Sequence, residues 1–148
     1  MSPRRVRELF GREADAFEAA NPRSRELFGR SGGSLLGGVP MSWMAKWAGG
    51  FPIAVAEAAG AHVRCLDGID HVDLCLGDTG AMAGHSPAPT VRAMAAQAAR
   101  GITTMLPGED AAAVAEELAR RFGLPAWQFT LSATDANRHV LRLSLIHI

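Results

Sequence analysis

The chain has 148 residues, 48% of them hydrophobic and 20% charged, with 15 basic and 15 acidic side chains. That length and balance fit one soluble globular domain, and a formal charge of zero offers no field to attract nucleic acid or an anionic membrane, so neither is expected as a partner. No apolar run reaches the length of a membrane span, because Glu57 interrupts the best candidate, and the cytoplasm is the default location.

In chain order, Pro3–Ala20 places Val6, Leu9, Phe10, Ala14 and Phe17 near one helical face, with Arg4, Arg7, Glu8, Arg12 and Glu18 largely elsewhere. Asn21-Pro22 ends this helix, and a shorter one is expected over residues 24–28. Residues 29–38 are glycine-rich and read as a loop, without the Gly-Lys-Ser/Thr ending that a nucleotide-binding P-loop requires. Met41, Trp43, Met44 and Trp47 crowd the next stretch, where they line a pocket or pack under a loop.

Residues 51–57, 62–66 and 69–76 read as strands of an antiparallel meander, with Asp67-Gly68 as a hairpin turn. Val72, Leu74 and Leu76 alternate with His71, Asp73 and Cys75, which predicts one buried and one polar face. Cys65 and Cys75 flank the hairpin and are expected as reduced thiols. A zinc set of His62, Cys65, His71 and Cys75 is disfavoured, because positions three apart on a strand point to opposite faces. Asp78 and Thr79 lie in the turn-rich loop that follows, where Asp78 either caps a turn or faces a ligand. For His85, with no carboxylate partner identifiable, structural hydrogen bonding is preferred to general-base work. Ser86-Pro87 reads as an N-cap and first-turn proline of a helix reaching about Arg100, with Val91, Met94, Ala95 and Ala98 on its apolar side.

A second helix is expected over Glu109–Phe122, with acids in its first turn, Arg120 and Arg121 in its last, and Val114, Ala115, Leu118 and Phe122 as a buried stripe. Residues 126–131 read as a buried strand. Ser132 and Asp135 then form a Ser-x-x-Asp cap opening a helix that holds Asn137, Val140 and Leu141. On the residues alone this is a plain capping box or an anion site, in which first-turn amides and the Thr134 hydroxyl would meet a phosphate in the favourable field of the helix dipole.

Thr130-Leu-Ser132-Ala-Thr134-Asp-Ala-Asn137, together with Asp67-Gly68, His71-Val72-Asp73 and Gly84-His85-Ser86-Pro87 in that order, resembles the class III pyridoxal-phosphate aminotransferases, over residues 37–143. Within that family the likeness is to the branch containing glutamate-1-semialdehyde 2,1-aminomutase. The resemblance implies an α/β fold, the N-terminal part of a fold-type-I pyridoxal-phosphate-dependent transferase: N-terminal helices, the antiparallel meander and the start of the large α/β domain, truncated. Residues 1–86 would then belong to the small domain and 87–143 to the start of the large, cofactor-binding domain, with 144–148 a foreign or truncated tail. It also implies pyridoxal 5'-phosphate as cofactor, its phosphate held by Ser132, Ala133 and Thr134, and a substrate-side loop carrying Asp78 and Thr79. A small amino acid or keto acid would be the substrate, and a homodimer the assembly.

Ala133 stands where the family has Gly, and Asp135 where it has Glu. A left-handed conformation at position 133 would cost roughly 1–2 kcal/mol with Ala, whereas ordinary helical angles would cost nothing. Aminotransferase is preferred to aminomutase because residues 41–47 lack the arginine-bearing pattern of the aminomutase. Lys46 is the sole lysine and lies away from the position the family uses for its cofactor-binding lysine, so the chain by itself is expected to be inactive. The reading from another class is a non-catalytic interaction module in which Pro3–Ala20 docks on a partner.

Overall fold

The computed structural model describes residues 2–46, 48–78 and 80–146. They form two compact units, one through Ala99 and one from Arg100.

Helix α1, Pro3–Ala20, starts where the Ser2 hydroxyl accepts the Arg5 amide at 3.3 Å, with Pro3 in the first turn where its missing N–H costs nothing. It stops at Asn21, whose amide and side-chain nitrogen both donate to the Phe17 carbonyl. Helix α2, Pro22–Ser31, starts immediately and runs past the expected end at Phe28 into the glycine-rich segment. A single Gly29 lowers helix propensity by about 1 kcal/mol, too little to break a helix otherwise held at both ends.

The cap of α2 comes from far along the chain. Asn21 gives α2 no side-chain cap. Instead the Asp67 carboxylate accepts the Arg23 amide (2.6 Å), the Ser24 amide (3.1 Å) and the Ser24 hydroxyl (2.6 Å), while the Arg23 guanidinium donates to the Leu66 carbonyl. Ser24 Oγ in turn accepts the Ala54 amide at 3.1 Å, so one buried hydroxyl ties the helix to the sheet and to its turn. Partial desolvation opposes ionisation of Asp67, but the Ser24 hydroxyl and the two amides outweigh it and hold the carboxyl below its ordinary range.

Strands β1 (Val55–Ala59), β2 (His62–Cys65) and β3 (Asp70–Val72) form an antiparallel sheet in that order. The Asp67-Gly68 turn is a three-residue loop rather than a two-residue one: Gly68 N–H bonds the Cys65 carbonyl, Cys65 N–H bonds the Ile69 carbonyl, and Gly68 adopts φ +82°. This is a type I turn closed by a left-handed residue, which glycine occupies without a Cβ penalty. Glu57, Arg64 and Asp70 stand opposite one another, and Arg64 pairs with both acids, at 3.3 Å and 2.8 Å. Among the described residues, Val39, Phe51 and Cys65 are the buried apolar ones of this unit, with the Phe17 and Phe51 rings 4.9 Å apart.

Two strand expectations fail here. The first strand begins at Val55, not Phe51, and the third stops at Val72 instead of reaching Leu76. The side chain of Asp73 takes the amides of Cys75 and Leu76, folding the chain into a turn, and Leu74 is left 92% exposed instead of continuing a buried face. Ser86 also departs from its expected role: its hydroxyl donates to the Ala58 carbonyl at 2.9 Å, and helix α3, Ala88–Ala98, begins after an uncapped Pro87. Val91 and Met94 on α3 are exposed.

In the second unit, α4 spans Glu109–Phe122 as expected, and Glu117 pairs with both Arg120 and Arg121. Its apolar stripe is not buried: Val114 and Phe122 are exposed, although the Phe122 and Trp127 rings sit 5.8 Å apart. Residues 126–131 form no regular element and pair with no strand among the described residues, so the expected buried strand is absent there, and Leu131 is fully exposed. A strand needs a neighbour for its backbone groups, and none is described beside this segment. Helix α5, Ala133–Ile146, follows. No helix among the described residues is long and apolar enough to cross a membrane.

Candidate functional site

The entry to α5 is built from one residue pair. Ser132 Oγ accepts the Asp135 amide at 3.1 Å and donates to Asp135 Oδ2, also at 3.1 Å, while the Ser132 carbonyl accepts the Ala136 amide at 3.0 Å. The Asp135 side chain takes the cap hydroxyl here, where a capping box would send it to the cap's own amide. Helix-internal bonding thus begins at Ala136, and the amides of Ala133 and Thr134 precede it with the positive end of the helix dipole behind them. Thr130 Oγ1 donates to the Ser132 carbonyl at 3.1 Å and steadies the approach to the turn. Ala133 is not among the residues with positive φ, so alanine in place of the family's glycine carries no backbone strain. Along the same helix, Asp135, Arg138, His139 and Arg142 line a shallow groove, with Arg138 3.8 Å from the Asp135 carboxylate.

In the first unit, Asp73 and His85 meet. His85 Nε2 lies 2.7 Å from Asp73 Oδ2, and both side chains are largely buried. Asp73 Oδ1 accepts the Cys75 and Leu76 amides, each at 2.9 Å. The His85 hydrogen bond, followed by those two amides, holds the Asp73 carboxyl below the usual carboxylate range. An ionised carboxylate only accepts, so His85 carries its proton on Nε2 in this contact and that nitrogen is not a free base.

Residues Leu76, Gly77 and Asp78 all adopt φ between +50° and +62°. Such left-handed backbone costs roughly 1–2 kcal/mol at each non-glycine position and persists only where the surroundings over-determine it. Asp78 is exposed, and its carboxylate receives the Cys75 thiol at 3.5 Å. Thr79 and Trp47 lie outside the described residues. Met41 and Trp43 are about half exposed, beside and within a short 3-10 turn, Ser42–Lys46.

The contacts missed in the sequence are those made at a distance: Asp73 with His85, twelve residues apart, and Asp67 with Arg23 and Ser24. The only local signal was an aspartate at the exit of a strand and another in a turn.

No protein-family model matches the chain. Its structure superposes on the crystal structure of a glutamate-1-semialdehyde aminomutase from Pseudomonas aeruginosa PAO1 with a TM-score of 0.90 and 50% identity, covering 97% of this chain and 32% of that one; a second structure of that protein is a complex with PMP. A β-phenylalanine aminotransferase from Variovorax paradoxus matches in fold, with a TM-score of 0.87 at 24% identity over 96% of this chain and 33% of that one. Among curated proteins, the glutamate-1-semialdehyde 2,1-aminomutase of Desulfitobacterium hafniense is 34% identical over 124 residues, 82% of this chain and 29% of that protein. That of Thermoplasma acidophilum is 29% identical over 122 residues, 82% of this chain and 28% of that protein. The chain spans under a third of the length of these curated relatives.

The fold is therefore that of the pyridoxal-phosphate-dependent aminotransferases over their N-terminal part. Within that class the chain belongs to the class III aminotransferases, in the branch of glutamate-1-semialdehyde 2,1-aminomutase and its relatives.

Proposed function

We propose that the whole protein to which this chain corresponds is a pyridoxal-phosphate-dependent aminotransferase acting between a small amino acid and a keto acid, and that Ser132, Ala133 and Thr134 hold the cofactor phosphate. The observation that carries this reading is the capped, unstrained entry to α5. Two amides ahead of the first helical bond and a threonine hydroxyl make a donor set suited to a dianionic phosphate ester. The Asp135 carboxylate, the one anion in the same turn, is engaged by the Ser132 hydroxyl and faced by Arg138, which lowers its repulsion of a phosphate. When bound, the cofactor supplies an electron sink at the substrate carbon; this chain's part is to anchor and orient its phosphate end.

Asp78 and Thr79 are assigned to the substrate side. Lys46, in the 3-10 turn, is assigned no role in cofactor chemistry. A cytoplasmic homodimer completes the reading, with residues 1–86 contributing to the small domain and 87–143 opening the large one.

Intramolecular amino transfer is the second reading, favoured by the names of the curated relatives. Against it stands the segment Met41-Ser-Trp-Met-Ala-Lys-Trp47, which holds no arginine for a substrate carboxylate. Purified full-length enzyme, loaded with pyridoxal phosphate and given separate amino donors and keto acids, should pass amino groups between molecules. Turnover confined to a single amino-aldehyde substrate with no external acceptor would establish the aminomutase reading instead.

A further inference from the structure

We propose that Asp73 and His85 are positioning residues: their contact closes residues 74–78 and 80–84 onto the Gly60-Ala61 turn and fixes the left-handed backbone on which Asp78 is carried. The importance of that backbone to catalysis rests on the assignment of Asp78 to the substrate side; the clasp itself rests on geometry alone.

Both ends of the loop are moored to the same hairpin turn. At the entry, the Asp73 amide bonds the Ala61 carbonyl at 2.8 Å. At the exit, His85 and Gly60 exchange both backbone bonds, at 2.7 Å and 2.9 Å, and the Ser86 hydroxyl holds the Ala58 carbonyl. Gly84 lets the two backbones touch: at φ +85°, a Cβ there would stand 3.1 Å from Gly60 Cα and 3.2 Å from Gly60 O. Between these moorings the Asp73 carboxylate works in two directions. Oδ2 reaches across to His85 at the loop's exit, and Oδ1 reaches forward to Cys75 and Leu76 at its entry.

The turn held in this way is left-handed at Leu76, Gly77 and Asp78 and is closed by Ala81 N–H on the Leu76 carbonyl at 2.9 Å. Two of those three residues carry side chains that disfavour the conformation, so the turn needs an external restraint. A carboxylate that accepts three bonds at once, one from a side chain largely shielded from water, is that restraint. Loss of His85 frees Oδ2, lets the carboxylate rotate away from the Cys75 and Leu76 amides, and allows the loop to relax towards right-handed backbone.

Amide hydrogen exchange in the chain tests this. Replacing His85 by Ala should speed exchange at Cys75, Leu76 and Ala81 by about tenfold or more while the β2 amides, His62–Cys65, change by less than about twofold, as expected for a local opening. His85→Gln, which keeps a side-chain donor for Asp73, should restore most of the protection. Unchanged exchange at Cys75, Leu76 and Ala81 would overturn the clasp, and so would acceleration of the loop and β2 together, which would make the pair a support of the sheet. In full-length enzyme the substrate KM separates the two readings: a loosened loop with unaltered KM would remove Asp78 from the substrate side and leave the clasp standing.

Discussion

Ser24→Ala tests the assembly of the first unit through a single hydroxyl. Ser24 is 1% exposed, donates to Asp67 at 2.6 Å and accepts the Ala54 amide at 3.1 Å. Its removal takes the acceptor from the partly buried Ala54 N–H, at a cost of about 1–3 kcal/mol, and deletes a second hydrogen bond of roughly 1 kcal/mol, giving about 2–4 kcal/mol together. The chain carries its own probe of this loss. Cys65 is 1% exposed and lies at the end of β2 beside the Asp67 turn, whereas Cys75 is exposed, so a thiol reagent modifies Cys75 directly and Cys65 only when the unit opens. The destabilisation translates into labelling of Cys65 that is about 30- to 700-fold faster, at a factor of ten for each 1.4 kcal/mol, with Cys75 labelling unchanged. A Cys65 rate within about threefold of the unsubstituted chain would refute the reasoning, since it corresponds to well under 1 kcal/mol.

Three further outcomes are expected. The Glu117 carboxyl is lowered from 4.5 to about 2 by its hydrogen bonds to Arg120 and then Arg121; because the folded value is the depressed one, its support of α4 is complete above about pH 4.5 and is lost as pH falls towards 2. Far-ultraviolet circular dichroism should show helix loss in that window, flattened in Glu117→Gln, and matching acid profiles would count against the ion pairs. Gly84→Ala should raise exchange at the paired amides of positions 60 and 85 more than Gly60→Ala does: both sites have left-handed φ, but only a Cβ at 84 meets backbone within 4 Å, and equal effects would contradict the close approach. Lys46→Ala should leave keto-acid formation by the chain with pyridoxal phosphate and an amino donor at the rate of free cofactor, as for the unsubstituted chain; turnover that vanishes with Lys46 would place cofactor chemistry within this chain.

Helices whose start, stop and charge pattern are local were legible in the sequence. Pro3–Ala20 lies between a serine cap and Asn21-Pro22, and Glu109–Phe122 has acids at one end, arginines at the other and glycine beyond. The α5 cap was legible for the same reason. Alternation misled at Val72, Leu74 and Leu76, because an aspartate side chain competes for the amides a strand would use, and periodicity is blind to that competition. The hydroxyl of Ser86 and the carboxylate of Asp67 serve backbone 28 and 43–44 residues away, choices that only the folded chain defines. The apolar runs at 126–131 and along α4 read as buried in the sequence; Val114, Phe122, Phe129 and Leu131 are exposed, because burial requires covering surface that no described residue supplies.

The dissociation constant of pyridoxal phosphate from full-length enzyme carrying Thr134→Val, measured beside Asp135→Asn, tests the phosphate assignment most directly. Loss of a hydrogen bond to a charged phosphate is worth about 1.5–3 kcal/mol, so Thr134→Val should weaken binding by about 10- to 150-fold. Asp135→Asn alters a cap worth about 1 kcal/mol and should weaken binding by about fivefold at most. Equal affinities for the two variants would contradict the placement of the cofactor phosphate at Ser132, Ala133 and Thr134.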